Sequence, residues 1–112
     1  MSYYLNSKSS KGIYKISSFV FSSIAQDVIE SLENEELKDQ ISLKLTGQKK
    51  NVTTKIIDNK ITINVTIFAI RNSNVQNLVT VVQKKVYEAV YEQTEISDVK
   101  VNVNLAGFVD KE

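Results

Sequence analysis

At 112 residues, with 42% hydrophobic and 24% charged side chains, the chain has the size and balance of one globular domain, and its composition argues against disorder throughout. The net charge of +1 supplies no broad field to attract nucleic acid or anionic lipid. Cysteine and histidine are absent, so disulfides, thiolate metal sites, thiol nucleophiles and imidazole bases are excluded, leaving carboxylates, lysine and tyrosine for proton chemistry.

Residues 1–11, which begin "MSYYLNSKSS", are polar, serine-rich and without periodicity, and are expected to form a flexible tail that includes Tyr3 and Tyr4. They lack the apolar core of a secretory signal, and no later apolar run approaches the roughly 18 residues needed to span a bilayer. The chain is therefore expected in the cytoplasm, without direct membrane insertion. A single domain is expected over 12–109. It opens with a short strand over Gly12 to Ile16, followed by Ser17 or Ser18 as a helix N-cap.

Val20, Phe21, Ile24, Ala25, Val28 and Leu32 then fall on one stripe at about 100° per residue, with Ser22, Gln26 and Glu30 opposite. This is an amphipathic helix. The stretch "ENEELKDQ" either extends it or forms a loop. Glu33, Glu35 and Glu36 have the oxygens a hard cation takes, but a solvated charged surface is the simpler reading, and no metal site is assigned. Ile41, Leu43 and Leu45 alternate as a further short strand before Gly47.

In "NVTTKIIDNKITINV" two β-rich runs flank Asp58 and Asn59, residues that tolerate the positive φ of a two-residue hairpin turn. Counting outward pairs Ile57 with Lys60, Ile56 with Ile61, Thr54 with Ile63 and Val52 with Val65. One face then carries Val52, Thr54, Ile56, Ile61, Ile63, Val65 and Ile67. The other carries Thr53, Lys55, Lys60, Thr62, Asn64 and Thr66, with Ile57 the exception. A sheet with one apolar and one polar face takes helices on one side only.

Asn74 is a good N-cap for a second helix, whose core face is Val75, Leu78, Val79, Val82, Val86, Ala89 and Val90. Lys84, Tyr87 and Tyr91 lie on its back, two aromatics one turn apart beside a lysine, a combination that makes protein contacts. The helix should end near Thr94. Val99, Val101, Val103 and Leu105 alternate with Lys100, Asn102 and Asn104 as a final strand, parallel to its predecessor across a right-handed crossover. The expected fold is α+β: a small mixed sheet of four or five strands with two helices packed on one face, in the order β-α-(β)-β-β-α-β.

From about Gly12 to Phe108 the chain resembles the bacterial alkaline shock protein family. The residues carrying the resemblance are "GIYKISSFVFSSIAQDVI", the hairpin "NVTTKIIDNKITINVTIFAI", and "NVQNLVTVVQKKVYEAVYEQTEISDVKVNVNLAGF" with its asparagine start, "VQKKV" centre and final strand ending at Gly107. The chain departs from the family pattern in having "SLENEELKDQISLKLTGQ" where a glycine-containing segment usually follows helix one, and Gln76 near the usual proline. The resemblance implies a cytoplasmic, non-catalytic interaction or scaffold protein associated with cell-envelope stress or homeostasis. It further implies a protein partner, either a membrane anchor or a kinase-like protein of fatty-acid activation. No catalytic residue and no cofactor comes with it.

The surfaces available for a partner are the polar sheet face, centred on Lys55, Thr62, Asn64 and Asn102, and the helix patch of Lys84, Tyr87 and Tyr91. Self-association through an exposed sheet edge is also open. An RNA-binding sheet is the alternative, disfavoured because Phe68 is the one aromatic in phase with the open face, where bases would stack. An acid-base pair of Asp27 and Glu30 is weaker still, since both fall toward the polar side of their helix. The glycosylation-like triplets at Asn51 and Asn64 are read as chance in strands rich in Asn and Thr.

Overall fold

The structure is a computed structural model that describes residues 3–6, 14–43 and 50–110. Its elements in chain order are β1 (Tyr3–Asn6), β2 (Tyr14–Ser17), α1 (Ser18–Asn34), β3 (Ile41–Ser42), β4 (Val52–Ile57), β5 (Lys60–Ile70), α2 (Val75–Thr94) and β6 (Val99–Val109). The fold is α+β, with a four-stranded mixed sheet and a separate two-stranded one.

Asp58 and Asn59 set the register of the main sheet. Both take positive φ, 51° and 58°, as the two central residues of a type I′ turn must, and such a turn matches the twist of the strands it joins. The pairs are those counted from the sequence: Val52 with Val65, Thr54 with Ile63, Ile56 with Ile61 and Ile57 with Lys60. On the other side β6 runs parallel to β5, with Ile61 opposite Val99, Ile63 opposite Val101 and Val65 opposite Val103. The register shifts by one residue between Ile67 and Phe68, so that Ala106 is extra and Gly107 faces Phe68.

Strand β5 is central, and its alternation decides the layering. Ile61, Ile63, Val65, Ile67 and Ala69 are buried, whereas Thr62, Asn64, Thr66, Phe68 and Ile70 are half-buried on the other face. Both helices cover the first face, α1 over β4 and α2 over β6, and they pack on each other. From α1 come Phe21, Ile24, Ala25, Ile29 and Leu32, and from α2 come Leu78, Val82, Val86 and Val90. Each aliphatic side chain fully buried there contributes about 1.5–3 kcal/mol, which offsets the low helix propensity of the valines.

Helix α2 starts as expected, with the Asn74 side chain accepting the Asn77 N–H at 3.0 Å, and ends at Thr94, where Glu95 takes a left-handed conformation. Helix α1 has Ser17 at its N-cap, but that side chain makes no capping bond. The acidic stretch after Leu32 completes the helix to Asn34 and then turns through Glu35 to Gln40. Glu33 is held there structurally: its Oε2 accepts the Leu43 N–H at 2.8 Å. Strand β3 covers Ile41 and Ser42 alone, shorter than the alternation through Leu43 and Leu45 suggests, and Leu45 lies outside the described residues.

The stripe of α1 is shifted from expectation, with Val20 39% exposed and Ile29 fully buried, and the N-terminal residues depart from it as well. Residues 3–6, read as part of a flexible tail, form β1, antiparallel to β2 with Tyr3 opposite Ser17 and Leu5 opposite Lys15. Two contacts tie this hairpin to the rest of the chain, and one lies within it. The Tyr4 ring meets Phe21 edge-on at 6.4 Å, Lys15 Nζ lies 5.9 Å from the Tyr3 ring centre, and Asn59 clamps the Leu5 backbone. In that clamp Asn59 Oδ1 accepts the Leu5 N–H at 2.8 Å while its Nδ2 donates to the Leu5 carbonyl at 3.1 Å. Four residues of strand are too few to show periodicity, and the turn that clamps them lies 54 residues from Leu5, so the local pattern carried no sign of them.

Candidate functional site

The strand registers assemble the polar face into rows. Lys55 of β4 lies opposite Thr62 of β5, which lies opposite Lys100 of β6, and the next row is Thr53, Asn64 and Asn102. Asn102 Nδ2 donates to Asn64 Oδ1 at 3.1 Å, locking the middle of the second row. The four sheet residues singled out from the sequence thus sit in two adjacent rows. Two strand spacings, about 10 Å, separate the backbones of Lys55 and Lys100. The described open-face positions of β4, β5 and β6 carry three ionisable side chains, the exposed Lys55, Lys60 and Lys100.

Charge is segregated between the two sides of the molecule. The groove between α1 and α2, on the far side from the open sheet face, is lined by Asp27, Glu35, Glu36, Glu88 and Glu92, with Lys85 among them. A net charge of +1 therefore conceals a basic sheet face and an acidic helix side. Asp27 and Glu30 are both exposed, and Glu30 accepts a hydrogen bond from Gln26 at 3.2 Å. Asn51 and Asn64 each have work within the sheet: Asn51 Nδ2 donates to the Thr66 carbonyl at 3.0 Å, and Asn64 accepts from Asn102.

The helix patch is divided. Tyr91 is 51% exposed, and Lys84 is exposed with Glu88 3.9 Å away. Tyr87 does not stand free on the back of α2, as the periodicity suggests: it is half-buried, and its hydroxyl donates to the Ser97 carbonyl at 2.8 Å. One turn earlier Gln83 Nε2 donates to the Val101 carbonyl at 2.9 Å. Both side chains reach over the outer edge of β6. There they border a groove of about 550 Å³ that also takes in Lys84, Lys100 and Asn102, and so brings members of both sequence-derived surfaces together.

That outer edge pairs with no strand among the described residues. Thr66 N–H donates to the Asn51 carbonyl and Ile70 N–H to the Gln40 carbonyl, so even-numbered residues of β5 face β4 and β3, and odd-numbered ones face β6. In the observed parallel register it follows that Lys100, Asn102 and Asn104 turn their backbone polar groups toward β5, while Val99, Val101, Val103 and Leu105 turn theirs outward. The bonds from Tyr87 to Ser97 and from Gln83 to Val101 fall on outward carbonyls, as this parity requires. After the bulge the parity reverses, and Arg71 N–H donates to the inward Val109 carbonyl at 2.8 Å. Gln83 and the free edge were not singled out from sequence, because periodicity along a strand does not say which of its sides is paired.

Comparison with protein-family models, curated proteins and solved structures returns no match.

Proposed function

We propose that this chain is a non-catalytic interaction or scaffold module that presents its open sheet face to the acidic surface of a protein partner. The observation supporting this reading is the row of Lys55, Thr62 and Lys100, with Lys60 beside it, on a sheet face that no helix of the described residues covers. Exposed lysines steer an oppositely charged partner and fix its orientation. The resemblance to the alkaline shock protein family supplies the setting: cell-envelope stress or homeostasis in the cytoplasm, with a membrane anchor or a kinase-like protein of fatty-acid activation as the partner. Recruitment to a membrane would run through that partner, and no helix among the described residues is long and apolar enough to cross one.

The test is crosslinking in the native cell with the parent chain and with the combined substitutions Lys55→Glu, Lys60→Glu and Lys100→Glu. One protein recovered with the parent and lost with the triple variant, at unchanged circular dichroism, supports the reading. Unchanged recovery refutes it. A second reading, single-stranded RNA on the same face, draws on the same lysines and on Phe68 in phase with them. Binding of a short RNA whose affinity falls steeply with salt, and which the triple variant abolishes, would favour RNA over a protein.

A further inference from the structure

We infer that the outer edge of β6 pairs with the same edge of a second copy of this chain, antiparallel, about a two-fold axis through Val103. From Val101 to Leu105 the edge keeps its regular outward parity and carries no charge or proline, and it pairs with no strand among the described residues; such a strand is a template for another. Its helix-side residues are also incompletely covered. Ile63, Val65 and Ile67 on the neighbouring strand are fully buried, whereas Val103 and Leu105 beside them are only half-buried and Phe108 is 52% exposed.

The second copy is favoured as occupant because the edge complements itself. Outward backbone groups occur at Val101, Val103 and Leu105, so a two-fold at Val103 sets that residue against its own counterpart and Val101 against the second copy's Leu105. On the open face the same axis sets Asn102 against the second copy's Asn104. This extends the polar row of Thr53, Asn64 and Asn102 across the junction. Lys100 meets no lysine. An axis perpendicular to the sheet keeps both helix layers on one side and both lysine faces on the other.

Register and stoichiometry are limited by what surrounds the edge. Gln83 and Tyr87 already occupy the carbonyls of Val101 and Ser97, so the unoccupied stretch begins at Val103. The Val101 carbonyl keeps a second lone pair for the incoming Leu105 N–H. Beyond Leu105 the bulge turns Gly107 inward and ends regular pairing. The opposite side of the sheet consists of β3 and β4, two and six residues long, and the latter carries Lys55. Pairing through β6 alone is isologous and closes at two copies.

The chain contains no cysteine, so a single introduced thiol reports on the geometry. In the inferred register the two Val103 Cα atoms lie about 5.5 Å apart, inside the range a disulfide spans, whereas the two Lys100 Cα atoms lie about 20 Å apart. The experiment is sedimentation of the native chain over a wide concentration range, with oxidation of Val103→Cys and Lys100→Cys by oxidised glutathione. The expected result is a concentration-dependent rise from 12.6 kDa to twice that mass, rapid disulfide dimer from V103C, and none from K100C. Val103→Lys sets like charges opposite each other and is expected to abolish the dimer.

A monomer at every concentration, or equal crosslinking of the two cysteine variants, would overturn the inference. So would a dimer that V103K leaves intact, or pairing of this edge only with an extended segment of another protein. If V103K does not fold, the two cysteine variants decide the matter. The inference does not rest on the partner proposed for the lysine face, since its failure would leave the triple-lysine experiment unaffected.

Discussion

Proline substitution along β6 tests the strand parity directly. Replacing Asn102 removes an N–H that faces β5, whereas replacing Val103, the next residue, removes one that faces outward. In Asn102→Pro the lost bond costs about 1 kcal/mol net, and the carbonyl left without a donor on the buried central strand costs about 1–3 kcal/mol more. The sum of about 2–4 kcal/mol lowers the melting temperature by on the order of 10–20 °C for a domain of this size. Loss of the 3.1 Å bond between Asn102 and Asn64 adds to it. In Val103→Pro the β5–β6 ladder is intact, Asn102 already has the extended backbone that precedes proline, and the cost stays within about 1 kcal/mol. Thermal and urea unfolding of both variants, at a concentration low enough to keep copies apart, measures the difference. Equal losses, or a larger loss for V103P, would show that the outward edge has been misassigned, and the inferred pairing through Val103 would fall with it.

Other substitutions test single contacts. Asn59→Gly retains a residue suited to positive φ but deletes both bonds to Leu5, so hydrogen exchange should accelerate over residues 3–6 while β5 stays protected; unchanged exchange would mean the hairpin is held without the clamp. Tyr87→Phe removes the bond to the Ser97 carbonyl and should cost about 0.5–1.5 kcal/mol in chemical denaturation, whereas a freely exposed phenol would cost nothing measurable. Phe21→Ala empties a fully buried site against Tyr4 and should cost about 3–5 kcal/mol, with proteolysis of the N-terminal hairpin increasing alongside.

Much of the fold was legible because its signals are local. The alternation on either side of Asp58 and Asn59 determined the β4–β5 pairing residue by residue, since a slip of one position would have turned Ile61, Ile63 and Val65 to solvent. The 3.6-residue stripes and Asn74 likewise determined both helices and where α2 begins. The polar face of Lys55, Thr62, Asn64 and Asn102 followed from the same alternation. Its assembly into rows, with Lys100 opposite Thr62, did not, because it depends on where β6 lands after the helix.

Tertiary structure decided the rest for a common reason: each remaining feature depends on a neighbour outside its own element. Tyr3–Asn6 became a strand through Tyr14–Ser17, Phe21 and Asn59. Tyr87 became an edge cover because Ser97 folds back beside it. The free side of β6 exists because β3 and β4 share the other edge of β5. A strand's sequence records which face is apolar, since side chains differ from face to face. Its backbone is chemically the same on both edges, so only packing against a particular neighbour distinguishes the bonded edge from the open one.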